Sequence, residues 1–303
     1  MRIAVTGREG QVVRSLMERG PELGHQILPV GRPELDLGGD EQSIRDALAA
    51  TAPDIIVSAA AYTAVDRAES EPDLAFAVND AGALAVARTA KELGVPLVHL
   101  STDYVFDGAA NAPYAETDPT GPTGIYGASK LAGEEAVLTT TDDAAILRTA
   151  WVYSPFGANF VKTMLRLAGD RDEIAVVADQ RGNPTNALDI ADGVLRVAVN
   201  LVSSDDSGLR GRFHMTTSGE ASWADFAEAI FAASAAAGGP SARVRRITTA
   251  EYPTPARRPA NSRLDTSKLA QAHGVRLPDW RTSLPSVVQR LLGETTSSKA
   301  LHQ

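Results

Sequence analysis

A doubly wound α/β sheet with a smaller second lobe is the fold this sequence predicts. Three observations predict it. Short apolar runs alternate with helix-spaced amphipathic segments through the first half, the connections between them are short, and a glycine-bearing turn follows the first run. Alternation of this kind builds parallel strands with helices on both faces. Such sheets bind ligands at the carboxyl ends of their strands.

Taken in order, residues 2–5 (RIAV) form the first buried strand, and 11–19 (QVVRSLMER) follow with helical spacing. Residues 26–30 are the second strand, 43–50 a helix and 54–58 (DIIVS) the third strand. A long helix is expected over 73–93, stopped by Gly94 and Pro96. Residues 96–100 (PLVHL) are the next strand, 126–138 a helix and 144–147 a strand. Beyond Val152 the pattern loosens. Helices are expected at 160–168, 189–199 and 222–233, and a strand at 212–215. The Ala-rich stretch 231–239 ends a helix in glycine. The division expected is 1–152 as a first domain carrying the sheet, with segments near 185–215 returning to it. Residues 153–293 are then mainly a second, smaller lobe, and 294–303 a frayed polar tail.

Composition narrows the function. The chain has 303 residues, 44% apolar and 22% charged, with a formal net charge of −9. An acidic balance disfavours a nucleic-acid backbone as partner, because duplex affinity needs clustered cations. With no cysteine, disulfides, thiolate metal sites and cysteine nucleophiles are excluded. The absence of cysteine fits a cytoplasmic protein. No run has the length of a leader's apolar core or of a bilayer span, so no membrane association is expected.

The turn Thr6-Gly7-Arg8-Glu9-Gly10-Gln11-Val12-Val13 joins the first strand to the first helix. Glycines there let the chain turn tightly and let a pyrophosphate approach the helix N-terminus. A plain tight turn is the alternative, since Gly-x-x-Gly alone is weak. In its strand–turn–helix context the motif makes the fold Rossmann-type. Arg32, just past the second strand, suits the 2′-phosphate of NADPH, or is a solvated surface arginine. Asp36 and Leu37 stand where an adenine could be flanked, although Asp36 also suits a turn.

Tyr126 and Lys130 lie four residues apart on one helix face. An ammonium beside a phenol lowers its pKa and readies it for proton transfer at a carbonyl or alcohol. A surface contact is the plain alternative. Ser101 and Thr102 end the strand PLVHL, where a hydroxyl could orient a substrate oxygen or merely form a turn. No H-E-x-x-H, G-x-S-x-G or Walker lysine occurs. His99, inside an apolar strand, reads as a core histidine with satisfied partners. Asp66, Glu69 and Glu71 read as a solvated acidic face.

Together these residues resemble the extended short-chain dehydrogenase/reductase family. More narrowly, the chain is similar to the dTDP-4-dehydrorhamnose reductase family within it. The pieces that carry this are AAAYTAVD from Ala59, STDYVFDG from Ser101, Tyr126-Gly127-x-x-Lys130, RTAWVY from Arg148 and RPANSRLD from Arg258. The resemblance spans Met1 to about Leu292. It implies that Gly7, Gly10, Gln11 and Val12 line a pyrophosphate and that Asp36 and Leu37 sit by the adenine. Ala61, Tyr62 and Thr63 would meet the ribose and phosphates. Thr102, Tyr126 and Lys130 would be the catalytic set, with Tyr126 and Lys130 also touching the cofactor. Thr102, Asp103, Trp151, Arg258 and Asn261 would meet a nucleotide sugar, the arginine by its planar fork.

The activity implied is NADPH-dependent reduction, with NADH possible, of the C4 ketone of dTDP-4-dehydro-L-rhamnose. Rivals are a nucleotide-sugar epimerase or dehydratase of the superfamily and a non-enzymatic regulatory subunit with this fold. The chain departs from the pattern twice. Val13 replaces a usual glycine, and Ser15 stands where a glutamate would help hold a dimer-bridging magnesium. No metal is therefore expected, and the chain is expected as a monomer or homodimer.

Overall fold

The computed structural model describes residues 1–300, with side chains through residue 294. The first lobe opens with β1 (Arg2–Thr6), α1 (Gln11–Glu22), β2 (Gln26–Val30), α2 (Glu41–Ala49) and β3 (Ile55–Ser58). Two short helices, α3 (Val65–Ala68) and α4 (Pro72–Phe76), lead through a π-turn at Ala77–Ala81 into α5 (Gly82–Leu93). Then come β4 (Leu97–Thr102), α6 (Ile125–Thr140) and β5 (Ala144–Thr149).

Past β5 lie β6 (Val152–Tyr153), α7 (Phe160–Ala168), β7 (Glu173–Val177), β8 (Arg181–Gly182), β9 (Thr185–Asn186) and α8 (Ala187–Ser203). The chain continues with β10 (Gly211–His214), β11 (Thr217–Ser218), β12 (Ala221–Ser222), α9 (Trp223–Ala236) and β13 (Arg243–Ile247). It closes with α10 (Ser267–His273), β14 (Leu277–Asp279) and α11 (Trp280–Ala300). The tail expected at 294–303 falls on the end of α11 and on residues outside those described.

The main sheet has the order β10-β5-β4-β3-β1-β2, and every pair in it is parallel. Residues of β3, β4 and β5 are buried throughout. Burial on both faces explains why these strands read as continuous apolar runs rather than alternating ones. One face packs against α1 and α8 through Val13, Leu16, Ile190 and Val194. The other is covered by α2, α5 and α6 through Ile44, Leu48, Val86 and Val137. Residues 187–214 thus belong physically to this lobe, α8 as a covering helix and β10 as an edge strand.

After β1 the chain crosses to β2 on one side, and β3 pairs on the other side of β1. The carboxyl ends of β1 and β3 therefore form the switch point where open α/β sheets bind ligands. The second lobe pairs β7 with β13 in parallel and surrounds them with α7, α9 and α11. Its core holds Trp280, Phe226, Ile230 and Val161. A capping box at Ser222 and Asp225 starts α9.

The single helix expected over 73–93 is a correction. The π-turn widens one turn inside it and shifts the register of every side chain before it. Gly94, at φ +66°, ends α5 in the left-handed conformation. β7, β13 and α11 lay outside the sequence reading. Among the described residues, no helix is long and apolar enough to cross a membrane.

Candidate active site

The turn after β1 is shaped for an anion. Gly7 takes φ +97°, and a Cβ there would stand 3.3 Å from the Ala60 Cβ. Gly10 is the N-cap of α1 and supplies no side chain to cap it. The first N–H groups of α1 are thus left for a ligand, at the positive end of the helix dipole. These features fit a dinucleotide pyrophosphate. Val13, placed where a glycine is usual, is buried in the core beneath the turn, with Cγ2 3.5 Å from a Cβ built on Gly7. That is ordinary contact, so the valine fits without displacing the turn. Val12 packs against the same core. The Gln11 side chain is occupied: it donates to the Val152 carbonyl (3.3 Å) and accepts from Ser154 (2.7 Å) and Asn159 (3.0 Å). Its side chain is thereby held toward the second lobe, and its backbone N–H is left for a phosphate.

Around the carboxyl end of β3, Ala61, Tyr62 and Thr63 form an open loop. Asn79 holds this loop: its side chain accepts from the Tyr62 N–H (2.8 Å) and donates to the Tyr62 carbonyl (3.1 Å). Asn79 also donates to Ser129 Oγ at 3.0 Å. The π-turn is what delivers this buried side chain. Sequence reasoning missed Asn79 because a regular helical period assigns it to another face. Arg32 is exposed, with no ion pair among the described residues. Asp36 accepts from the Gly38 N–H at 3.0 Å, a turn role, while Leu37 beside it is buried.

Thr102, Tyr126 and Lys130 meet where β4 ends against α6. Close approach of α6 depends on small residues, since a Cβ on Gly127 would lie 2.2 Å from the Tyr104 carbonyl oxygen. Glu69 accepts from the Ile125 N–H (2.9 Å) and secures the helix start. Thr102 donates to Asp103 Oδ1 (2.9 Å) and accepts from the Tyr104 N–H (3.2 Å).

The Tyr126 phenol is pushed up to about 12 by burial, which a hydrogen bond with Thr102 partly offsets. The lysine effect expected from the spacing is absent here, which is a correction. Lys130 Nζ donates to the Leu100 carbonyl at 2.8 Å and lies 3.3 Å from His99 Nε2. Burial brings Lys130 down to about 8, against the pull of Glu134. Asp103 is raised to about 6 by burial.

A family model described as "RmlD substrate binding domain" matches residues 1–292. The dTDP-4-dehydrorhamnose reductase of Sinorhizobium fredii is 54% identical over 97% of this chain and 99% of its own. The chain belongs to the dTDP-4-dehydrorhamnose reductase family. The enzyme of that name from Escherichia coli is 42% identical over 99% of this chain and all of its own. The Bacillus anthracis dTDP-4-dehydrorhamnose reductase, solved in complex with NADP, superposes with a TM-score of 0.87 at 35% identity. That match covers 94% of this chain and 98% of the other.

The remaining residues that the family pattern singles out are placed unevenly. Trp151 adopts φ +47°, a strained choice for a bulky residue. Its indole stacks on Trp223 at 3.6 Å, and a Cβ on Gly182 would press to 2.4 Å from it. Trp223 is a further residue that sequence reasoning missed, because nothing local links positions 151 and 223. Arg258 pairs with Asp66 across the lobes (2.7 Å), while its Nη1 is buried without a partner among the described residues. An arginine so placed has a donor left for an anionic ligand. Asn261 is different. Its amide donates to the carbonyls of Ala110 (2.9 Å) and Ala112 (2.8 Å), and its oxygen accepts from Arg263 (2.7 Å). With these bonds made, Asn261 ties the second-lobe segment to the loop after β4 rather than presenting its amide to a ligand.

The acidic run is corrected as well. Asp66 bonds Arg258, Glu69 caps α6, and Glu71 accepts from the Tyr62 hydroxyl at 2.8 Å. Each carboxylate is structural, and sequence position alone gave no sign of its distant partner.

Proposed function

We propose that this chain reduces the C4 ketone of dTDP-4-dehydro-L-rhamnose to dTDP-L-rhamnose with NADPH. The observation that carries the reading is the hydrogen bond between Tyr126 and Thr102 at the end of β4, with Lys130 held one helix turn away on the Leu100 carbonyl of the same strand. The names of the relatives supply the substrate. NADPH, when bound, supplies the hydride. Gly7, Gly10 and the first N–H groups of α1 hold its pyrophosphate, and Ala61, Tyr62 and Thr63 line the ribose side. The free guanidinium of Arg32 receives the 2′-phosphate.

Tyr126 gives its hydroxyl proton to the ketone oxygen as negative charge develops there. The raised pKa keeps that proton on the phenol at neutral pH, which the reducing direction requires. Thr102 orients the same oxygen. Lys130 holds the nicotinamide ribose. Trp151 and Asp103 face the sugar, and Arg258 faces the diphosphate.

The test follows NADPH absorbance with dTDP-4-dehydro-L-rhamnose generated in situ. Stoichiometric oxidation, falling at least about 100-fold in Tyr126→Phe, is expected. Retention of most of the turnover by that variant would refute the mechanism. Substrate conversion without net NADPH oxidation would point instead to an epimerase or dehydratase.

A further inference from the structure

His99 is almost wholly buried, at 1% exposure, and so are Ser58 at 2% and Lys130 at 2%. The three form a chain across β3, β4 and α6. Ser58 Oγ lies 3.1 Å from His99 Nδ1, and His99 Nε2 lies 3.3 Å from Lys130 Nζ. A lysine ammonium has three N–H donors and no acceptor. The Leu100 carbonyl takes one of them. If Nε2 takes the second, that nitrogen must be unprotonated, and the ring proton belongs on Nδ1, facing Ser58.

We propose that His99 is a positioning residue for Lys130. As a neutral imidazole protonated on Nδ1, it accepts one ammonium N–H and leaves a single N–H of Lys130 for the ligand. The inference rests on the place of Lys130 in the proposed site.

Chemistry around the pair agrees. Burial and the neighbouring Lys130 both hold the imidazole neutral, well below its ordinary pKa. The carboxylate that acts on Lys130 is Glu134, one turn further along α6. Glu134 is itself bound to Arg148 from β5, to Arg212 from β10 and to Ser101. It is therefore shared among several donors, and the neutral His99 is the direct side-chain acceptor at the ammonium. Across β5 the residue paired with His99 is the apolar Ile146. From the π-turn, Asn79 bonds Ser129 and supplies no charge.

The first experiment needs neither a variant nor a substrate. Nitrogen–proton NMR correlation of the full-length protein reads the tautomer of each of its five histidines. His99 is expected as the Nδ1–H tautomer, neutral throughout the range in which the protein is folded. An Nε2–H tautomer would overturn the proposal.

The second experiment compares His99→Leu, which has no acceptor, with His99→Gln, whose amide oxygen reaches about as far as Nε2. His99→Leu should weaken NADPH binding by up to about tenfold, the cost of ordering one long side chain at the moment of binding. It should also move the alkaline limb of kcat/KM to lower pH, because an unbonded ammonium loses its proton more easily. His99→Gln should restore most of both. Unchanged NADPH affinity and an unchanged limb in His99→Leu would refute the positioning role. The expected tautomer and NADPH affinities in a protein that turns over no dTDP-4-dehydro-L-rhamnose would support this inference and sink the proposed function.

Discussion

Removing Glu134 should be the most damaging single carboxylate loss in the first lobe. Its side chain is fully buried and faces Arg148, at 1% exposure. Arg148 donates from Nε (2.8 Å) and Nη2 (2.6 Å), Ser101 donates at 2.5 Å, and Arg212 adds a bond at 3.2 Å. In Glu134→Met the Arg148 charge stays buried. Among the described residues its Nη1 has no partner, and the Phe106 ring, at 5.0 Å, is left to face it. Breaking a buried pair in this way costs about 3–5 kcal/mol.

Arg148→Met should cost less, because Glu134 then keeps Arg212 and Ser101. The double variant should lose less than the two single losses combined, giving a coupling of about 1–3 kcal/mol. Urea unfolding followed by both circular dichroism and tryptophan fluorescence measures all four proteins. With a slope of about 3 kcal/mol per M, Glu134→Met shifts the midpoint by about 1 M or more. A loss below about 1 kcal/mol, or a larger loss in Arg148→Met than in Glu134→Met, would refute this account. Strong salt dependence of the coupling would also refute it, since buried pairs are weakly screened.

Three further outcomes are expected. Gly7→Ala forces a Cβ onto a backbone at φ +97° and against Ala60; stability should fall by about 1–3 kcal/mol, with weaker NADPH binding by fluorescence titration. Gly133→Ala puts a Cβ 2.1 Å from the Asn79 carbonyl oxygen; the melting temperature should fall and α6 should part from the π-turn, seen as faster amide exchange at Asn79. Asp103 is raised from 3.8 to about 6, so between those values the folded protein holds more protons than the unfolded chain. Its contribution to stability is therefore lost as pH rises from about 4 to about 6. Asp103→Asn should gain on the wild type across that window in pH-dependent melting, and a constant difference would refute the assignment.

How far the sequence reached differs between elements. Most strands of the main sheet carry a short apolar run, such as IAV in β1, IIV in β3 and AAIL in β5, and that pattern is local, so the sequence along the chain was enough to find them. The same holds for Tyr126 and Lys130, whose shared helix face follows from a four-residue spacing, and for the Gly7–Gly10 turn. β7 and β13 pair in parallel with two helices between them in sequence. β13 (RVRRI) carries only a weak local signal, whereas β7 (EIAVV) has an apolar run as strong as that of β3, and only the pairing with a distant partner was beyond the sequence.

What the sequence determined by itself was the strand–helix alternation of the first lobe, the parallel sheet and the residues that stand at its carboxyl edge. Tertiary structure alone decided their partners. It set Asp66 against Arg258, Trp151 against Trp223 and His99 against Lys130, across sequence separations from about 30 to about 190 residues. It also set the Lys130 ammonium on the Leu100 carbonyl and against His99, because the partners of Nζ are chosen by packing at β4. The physical reason is one of range. Periodicity and turn chemistry act over a few residues, whereas the energy of a buried polar group depends on whichever distant atom the folded chain brings within bonding distance.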